Sequence, residues 1–131
     1  MKATPEIRWA DAKTVRMAET IRRRWHGELQ GARIGYVLMP KLRACMAQTW
    51  KTCALDAFLS GLDFVIEINA PDWREMSNAC RRALLDHELT HCRPGRNGRW
   101  ASRHRHDLEE FAAVVTRHGS AVVFDANGGT Q

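Results

Sequence analysis

The stretch LLDHELTHC, residues 84–92, constrains this chain more than any other. His87 and His91 are four apart, with Glu88 directly after the first histidine. On an α-helix, positions i and i+4 lie one above the other on the same face. Leu85, Leu89 and Cys92 fall on a neighbouring stripe and have to be buried. A helix of this kind is expected to lie at the border of a core, with an apolar stripe facing inward and both imidazoles converging beside it. The chain can support such a core: 131 residues make about one domain, and 44% of them are hydrophobic.

The rest of the chain reads as alternating helices and strands. Residues 11–25 form a helix with Met17, Ala18, Ile21 and Trp25 on one face. Arg22, Arg23 and Arg24 stand at its end, where positive charge suits the helix dipole and reads as a solvated terminus. Gly27 and Gly31 break it. ARIGYVLMP is a strand closed by Pro40, and QTWKTC a candidate second strand, followed by ALDAFLSG as a short helix or turn. DFVIEINAP is the clearest strand, because Phe64, Ile66 and Ile68 make one face fully apolar. Asp72 with Glu75 three residues on resembles a capping box, and Ser77 offers a second cap, for the helix that carries LLDHELTHC. An Arg-, Gly- and Asn-rich loop spans residues 93–105. A last helix opens at Asp107, with Leu108, Phe111, Ala112 and Val115 as its core face and Gly119 at its end. The tail from Ser120 can add a short strand. The whole predicts one α+β domain over residues 1–131, with 119–131 a partly ordered tail.

The chemistry of His87, Glu88 and His91 follows from their geometry. Two imidazoles on one helical face can reach a single zinc ion at about 2.0–2.1 Å. Glu88, roughly 100° around the helix from His87, borders that ion without binding it. It is placed to take a proton from a zinc-bound water and pass it to a leaving amine. This is the H-E-x-x-H pattern of zinc proteases. A catalytic zinc needs a third protein ligand and an open position. The downstream candidates are His104, His106, Glu109, Glu110 and His118. His106 is favoured because it directly precedes the cap Asp107 and can aim back across the loop. His104, Glu109 and Glu110 remain alternatives, and His118 reads as a cation at a helix end.

DFVIEINAPDW, RRALLDHELTHC and RHDLEEFAAVVTRHG, in that order, resemble the phage metallopeptidase family, and ARIGYVLMPK extends the likeness. The resemblance implies a zincin-like fold, a phage or prophage origin and hydrolysis of peptide bonds. It implies His87 and His91 as zinc ligands, Glu88 as the catalytic base and His106 as the third ligand. The chain is also distantly similar to SprT-like metalloproteases, though it lacks their cysteine zinc ribbon.

A protein or peptide substrate is expected to bind extended beside an edge strand, and DFVIEINAP is the candidate. Tyr36, Arg103 and Arg105 are candidates to assist the carbonyl oxygen as it gains charge. Arg93, Arg96, Arg99, Arg103 and Arg105, with Trp100 among them, can bind nucleic acid phosphates and a base face, or acidic side chains. The net charge of +5 is compatible with acidic partners. MKATPEIRWADAK is polar with no apolar run behind it, and nothing approaches the roughly 20 apolar residues of a membrane span. A cytoplasmic location in the host cell is expected. Cys45, Cys53, Cys80 and Cys92 form no CxxC pair and read as reduced, mostly buried thiols. The alternative to a peptidase is a catalytically silent, zinc-stabilised protein of host takeover, with possible nucleic-acid association.

Overall fold

Residues 64–69 alternate as a half-buried strand must. In the computed structural model, which describes residues 6–42, 45–102 and 108–121 (backbone alone at 108–112 and 120), they form β4 (Phe64–Asn69). Phe64, Ile66 and Ile68 are fully buried. β2 (Ile34–Met39) runs parallel to β4 on one side, and β3 (Ala47–Lys51) runs antiparallel on the other. β1 (Arg8–Trp9) pairs antiparallel with β2, so the mixed sheet has the order β1-β2-β4-β3.

Register decides which face is inside. Ile66 lies level with Tyr36 on β2 and Thr49 on β3, and Ile68 with Leu38 and Ala47. Directly opposed residues share a face, so these six side chains form the inner one. Two helices cover it. α1 (Ala12–Trp25) buries Ala18 and Ile21, and α4 (Asn78–Leu89) buries Leu84, Leu85 and Leu89. Asp11 caps α1, accepting from the Thr14 hydroxyl at 2.6 Å. Arg22 is not the solvated helix end expected of it. Its guanidinium donates to Ala32 O at 2.6 Å and Leu29 O at 3.2 Å, closing the turn that leads into β2.

Between β4 and α4 the local reading is corrected. Pro71 falls in the first turn of a short helix, α3 (Ala70–Glu75), which starts directly off the strand. Proline suits that position because its fixed φ is helical and its missing N–H would be unpaired there anyway. Asp72 accepts from Asn69 Nδ2 at 2.6 Å, and it is Ser77 that caps α4, accepting from Cys80 N at 3.1 Å. Earlier in the chain, α2 (Ala54–Ser60) lies between β3 and β4 and is closed by Gly61 at φ 76°.

The arginine-rich segment is not simply a loop. Cys92–Pro94 (β5) and Trp100–Ser102 (β6) pair as an antiparallel hairpin. Asn97 and Gly98 take φ of 56° and 70° at its tip. Asn-Gly is a strong hairpin signal for that reason. In α5 (Leu108–His118) the buried valine is Val114, whereas Val115, expected in the core, is 40% exposed. The side chains of Leu108, Phe111 and Ala112, expected on the same core face, lie outside the described residues. Gly119 ends α5 at φ 55° as expected, and the strand expected in the tail lies outside the described residues. Of the cysteines only Cys92 is fully buried, and Cys53 is exposed. No helix among the described residues is long and apolar enough to cross a membrane.

The phase of α5 is testable. Val114→Ala should cost roughly 2 kcal/mol, from lost burial plus a residual cavity, whereas Val115→Ala should stay within about 0.5 kcal/mol. Urea unfolding of both variants measures the difference, and equal losses would contradict the observed face.

Candidate metal centre

α4 sinks into the core as it proceeds, and every residue from Ala83 to Leu89 is buried. Leu85 and Leu89 face the sheet and fix the rotation of the helix. His87 and Glu88 on the same stretch are buried beside that core, and His91 follows one turn on. The helical path tightens at its end: Thr90 N donates to Asp86 O at 3.2 Å, and His91 N to Glu88 O at 3.0 Å. His91 therefore stays on the same wall as His87. Their rings meet edge to face, with centroids 5.2 Å apart. One ligand atom from each of His87, Glu88 and His91 lies within 4.8 Å of the others. Two nitrogens on one zinc-sized ion stand at most ~4.2 Å apart, so small ring rotations suffice for a shared cation.

Glu88 is fully buried, and its two oxygens differ. Oε1 accepts from the Thr49 hydroxyl at 2.8 Å. Oε2 is buried with no hydrogen-bond partner among the described residues. Burial pushes its pKa up to about 7, against the opposing pull of His91 and of the Thr49 hydrogen bond. An orphaned buried oxygen of this kind costs stability. Beside two imidazoles it completes a donor set that suits a cation and its hydration water.

Asp86, one residue before His87, is equally buried but fully served. His26 Nε2 lies 2.5 Å from Oδ1, His118 Nε2 lies 2.9 Å from Oδ2, and Arg117 Nη1 stands 2.9 Å from both oxygens. His26 is the C-cap of α1, and Arg117 and His118 form the last turn of α5. One carboxylate thus ties three helices together behind the metal-facing wall. Burial alone would raise the Asp86 pKa, but the hydrogen bonds from His26 and Arg117 outweigh it and hold the value below the ordinary one.

Several expectations change here. His118 is neither a metal ligand nor a bare helix-end cation, since its ring is engaged with Asp86. Tyr36 lies under α1 and donates to Glu19 Oε2 at 2.7 Å, so its hydroxyl is committed away from any substrate carbonyl. Burial, then that bond, raises its pKa far above the usual phenol value. His104, His106, Arg103 and Arg105 lie outside the described residues, as do the side chains of Glu109 and Glu110. Arg93, Arg96 and Arg99 are exposed on the hairpin, but Trp100 is half-buried edge-on to Phe64 at 6.0 Å and is not a free stacking face.

The strand expected to flank a substrate also changes. β4 is interior, and β3 beside it is an edge strand, with β1 at the opposite edge. Thr52 N donates to Asp63 O at 3.0 Å and Asn69 N to Met46 O at 2.8 Å, at the two ends of the β3–β4 ladder. Antiparallel pairing alternates along a strand. Even-numbered residues of β3 therefore turn their backbone groups to β4, and Ala47, Thr49 and Lys51 turn theirs to the open edge. Sequence periodicity pointed to none of Thr49, Asp86, His26 or Arg117. The one available signal was an acid at position 86, inside an otherwise buried run.

A family model described as "Putative phage metallopeptidase" matches residues 7–127. Nothing matches among curated proteins or solved structures.

The Asp86 cluster predicts acid sensitivity. Its folded pKa lies below the unfolded value of about 3.9. Its contribution is therefore complete above that unfolded value and is lost as pH falls through the folded one. Asp86→Asn should destabilise by roughly 3–5 kcal/mol at neutral pH by stranding Arg117, and should lose less than the wild type on acidification. Urea unfolding between pH 3 and 7 reads both effects.

Proposed function

The chain belongs to the phage metallopeptidase family, and from that membership we propose that it is a zinc-dependent peptidase on a zincin-like fold, a single domain over residues 1–131. Family membership implies a metal and a protein or peptide substrate, and it supports action in a phage-infected or lysogenic host cell. The observation that carries the proposal is Glu88: a buried carboxylate with one anchored and one orphaned oxygen, between two imidazoles and beneath an open sheet edge.

In this reading His87 and His91 hold the zinc, and His106 completes the ligand set. Zinc there supplies Lewis acidity, acidifying a water and polarising the scissile carbonyl. Glu88 is the general base. Its Oε2 takes a proton from the attacking water and returns it to the departing nitrogen, so the peptide bond breaks as the new carboxyl forms. The substrate lies extended along β3, its main chain paired with the outward groups of Ala47, Thr49 and Lys51. Thr49 lies level with Ile66, directly over α4, so the open edge and the base belong to the same stretch of sheet.

The test separates metal loss from base loss. Purified protein should carry about one zinc per chain by elemental analysis. Glu88→Gln should keep the metal while peptide hydrolysis drops roughly 10²–10⁴-fold. His106→Ala should instead lose zinc affinity. Loss on His104→Ala with retention on His106→Ala would move the third ligand two residues. If Glu88→Gln keeps the wild type's full function in its native assay although peptide hydrolysis is gone, the silent, zinc-stabilised binding protein replaces the peptidase.

A further inference from the structure

Thr49 is the edge-strand residue whose side chain hydrogen-bonds the proposed base. Its hydroxyl lies 2.8 Å from Glu88 Oε1 and 3.2 Å from Glu88 O. A hydroxyl has a single proton to donate, and the shorter contact to the carboxylate takes it. Threonine is β-branched and stiff about χ1, and its backbone is held in the β3–β4 ladder level with Ile66. The donor is therefore fixed before any ligand arrives. A glutamate carboxyl, by contrast, turns readily about its terminal torsion, which is broad and two-fold. Without an anchor the carboxyl plane of Glu88 would be free to turn, and neither oxygen would be held facing the site.

We propose that Thr49 is a positioning residue for the peptidase chemistry: it pins Glu88 Oε1 so that Oε2 alone faces the reacting water, while its own main chain forms the central rung of the edge on which the peptide lies. The proposal rests on the peptidase reading. It adds a physical link between the two halves of the site, because the residue that would pair with substrate also aims the base. The backbone N–H and C=O of Thr49 point to the open edge, and its side chain points to the inner face, as alternation on a strand requires. A peptide strand added to β3 would brace the backbone that carries the anchoring hydroxyl. Proton flow is unchanged by Thr49, which keeps its own proton. Water gives one proton to Glu88 Oε2, and that proton leaves with the amine.

The test uses the full chain with Thr49→Val, Thr49→Ser, Glu88→Leu and the double variant Thr49→Val/Glu88→Leu. With zinc bound, and with the best-cleaved member of a quenched-fluorescent peptide pool as substrate, Thr49→Val should lose roughly 10–100-fold in kcat, the scale of a misplaced catalytic group. KM and zinc affinity should stay at wild-type values. Thr49→Ser, which keeps the donor, should recover most of the loss. In metal-free protein, Thr49→Val should lower the melting temperature by roughly 3–8 °C, because the buried Glu88 is then wholly unserved. In the Glu88→Leu background the same change should shift it clearly less, since the carboxylate contact is already gone and the hydroxyl keeps only the backbone carbonyl of residue 88 at 3.2 Å. Wild-type kcat in Thr49→Val, a serine variant as impaired as the valine one, or additive metal-free shifts would each overturn the proposal. A wild-type chain that binds zinc yet cleaves nothing would sink the peptidase reading and the positioning role with it. The metal-free melts would still report the contact by themselves.

Discussion

Two carboxylates two residues apart on α4, both fully buried, organise this protein. Burying a charge is tolerable only when it is paired or hydrogen-bonded. Asp86 meets that condition with His26, Arg117 and His118, and its pKa is held down. Glu88 meets it on one oxygen only, and its pKa is pushed up to about 7. Equal burial with unequal service separates a structural acid from a reactive one. The same logic marks acid–base pairs generally: the environment sets the role, not the residue type. The well-served acid also steadies the other, because it fastens the turn of α4 that carries Glu88 to the ends of α1 and α5.

Strand order determines what the reactive acid can meet. β4 is enclosed by β2 and β3, so its inner side chains fill the core and its backbone is fully engaged. β3 stands at the edge, where no strand among the described residues pairs with its outward backbone groups, and Thr49 on it reaches Glu88. On the outer face Glu67 accepts from Gln48 Nε2 at 2.7 Å and from Trp50 Nε1. These bonds lock β3 to β4 from the other side, so the edge strand is rigidly carried although one flank is open. A site held by a strand and a helix is more closely defined than one held by loops.

The hairpin after α4 shows how composition can mislead. Its arginines drew attention as an interaction loop, yet β5 and β6 pair and Trp100 packs on Phe64. The indole belongs to the core margin, whereas Arg93, Arg96 and Arg99 are exposed at the surface. The segment therefore closes one end of the core beneath the sheet as well as presenting charge.

Local rules were enough for much of this molecule. The spacing of His87, Glu88 and His91, the alternation of Phe64, Ile66 and Ile68, and the closing of α5 by Gly119 all depend on neighbours within a turn or a pleat, so the sequence by itself determined them. It also determined the α+β class and the family. It could not choose between Asp72 and Ser77 as a cap, since that turned on how Pro71 left the strand. It missed the phase of α5, because Val114 and Val115 are both apolar and only the packing on α4 distinguishes them. Which strand is the edge, which acid is served and which threonine meets the base were decided by tertiary structure alone. Those facts join residues 39, 60 or more positions apart, such as Thr49 to Glu88 and His26 to Asp86. No periodicity along the chain encodes such a pairing, because hydrogen-bond partners for a buried charge are selected by the packing of whole elements.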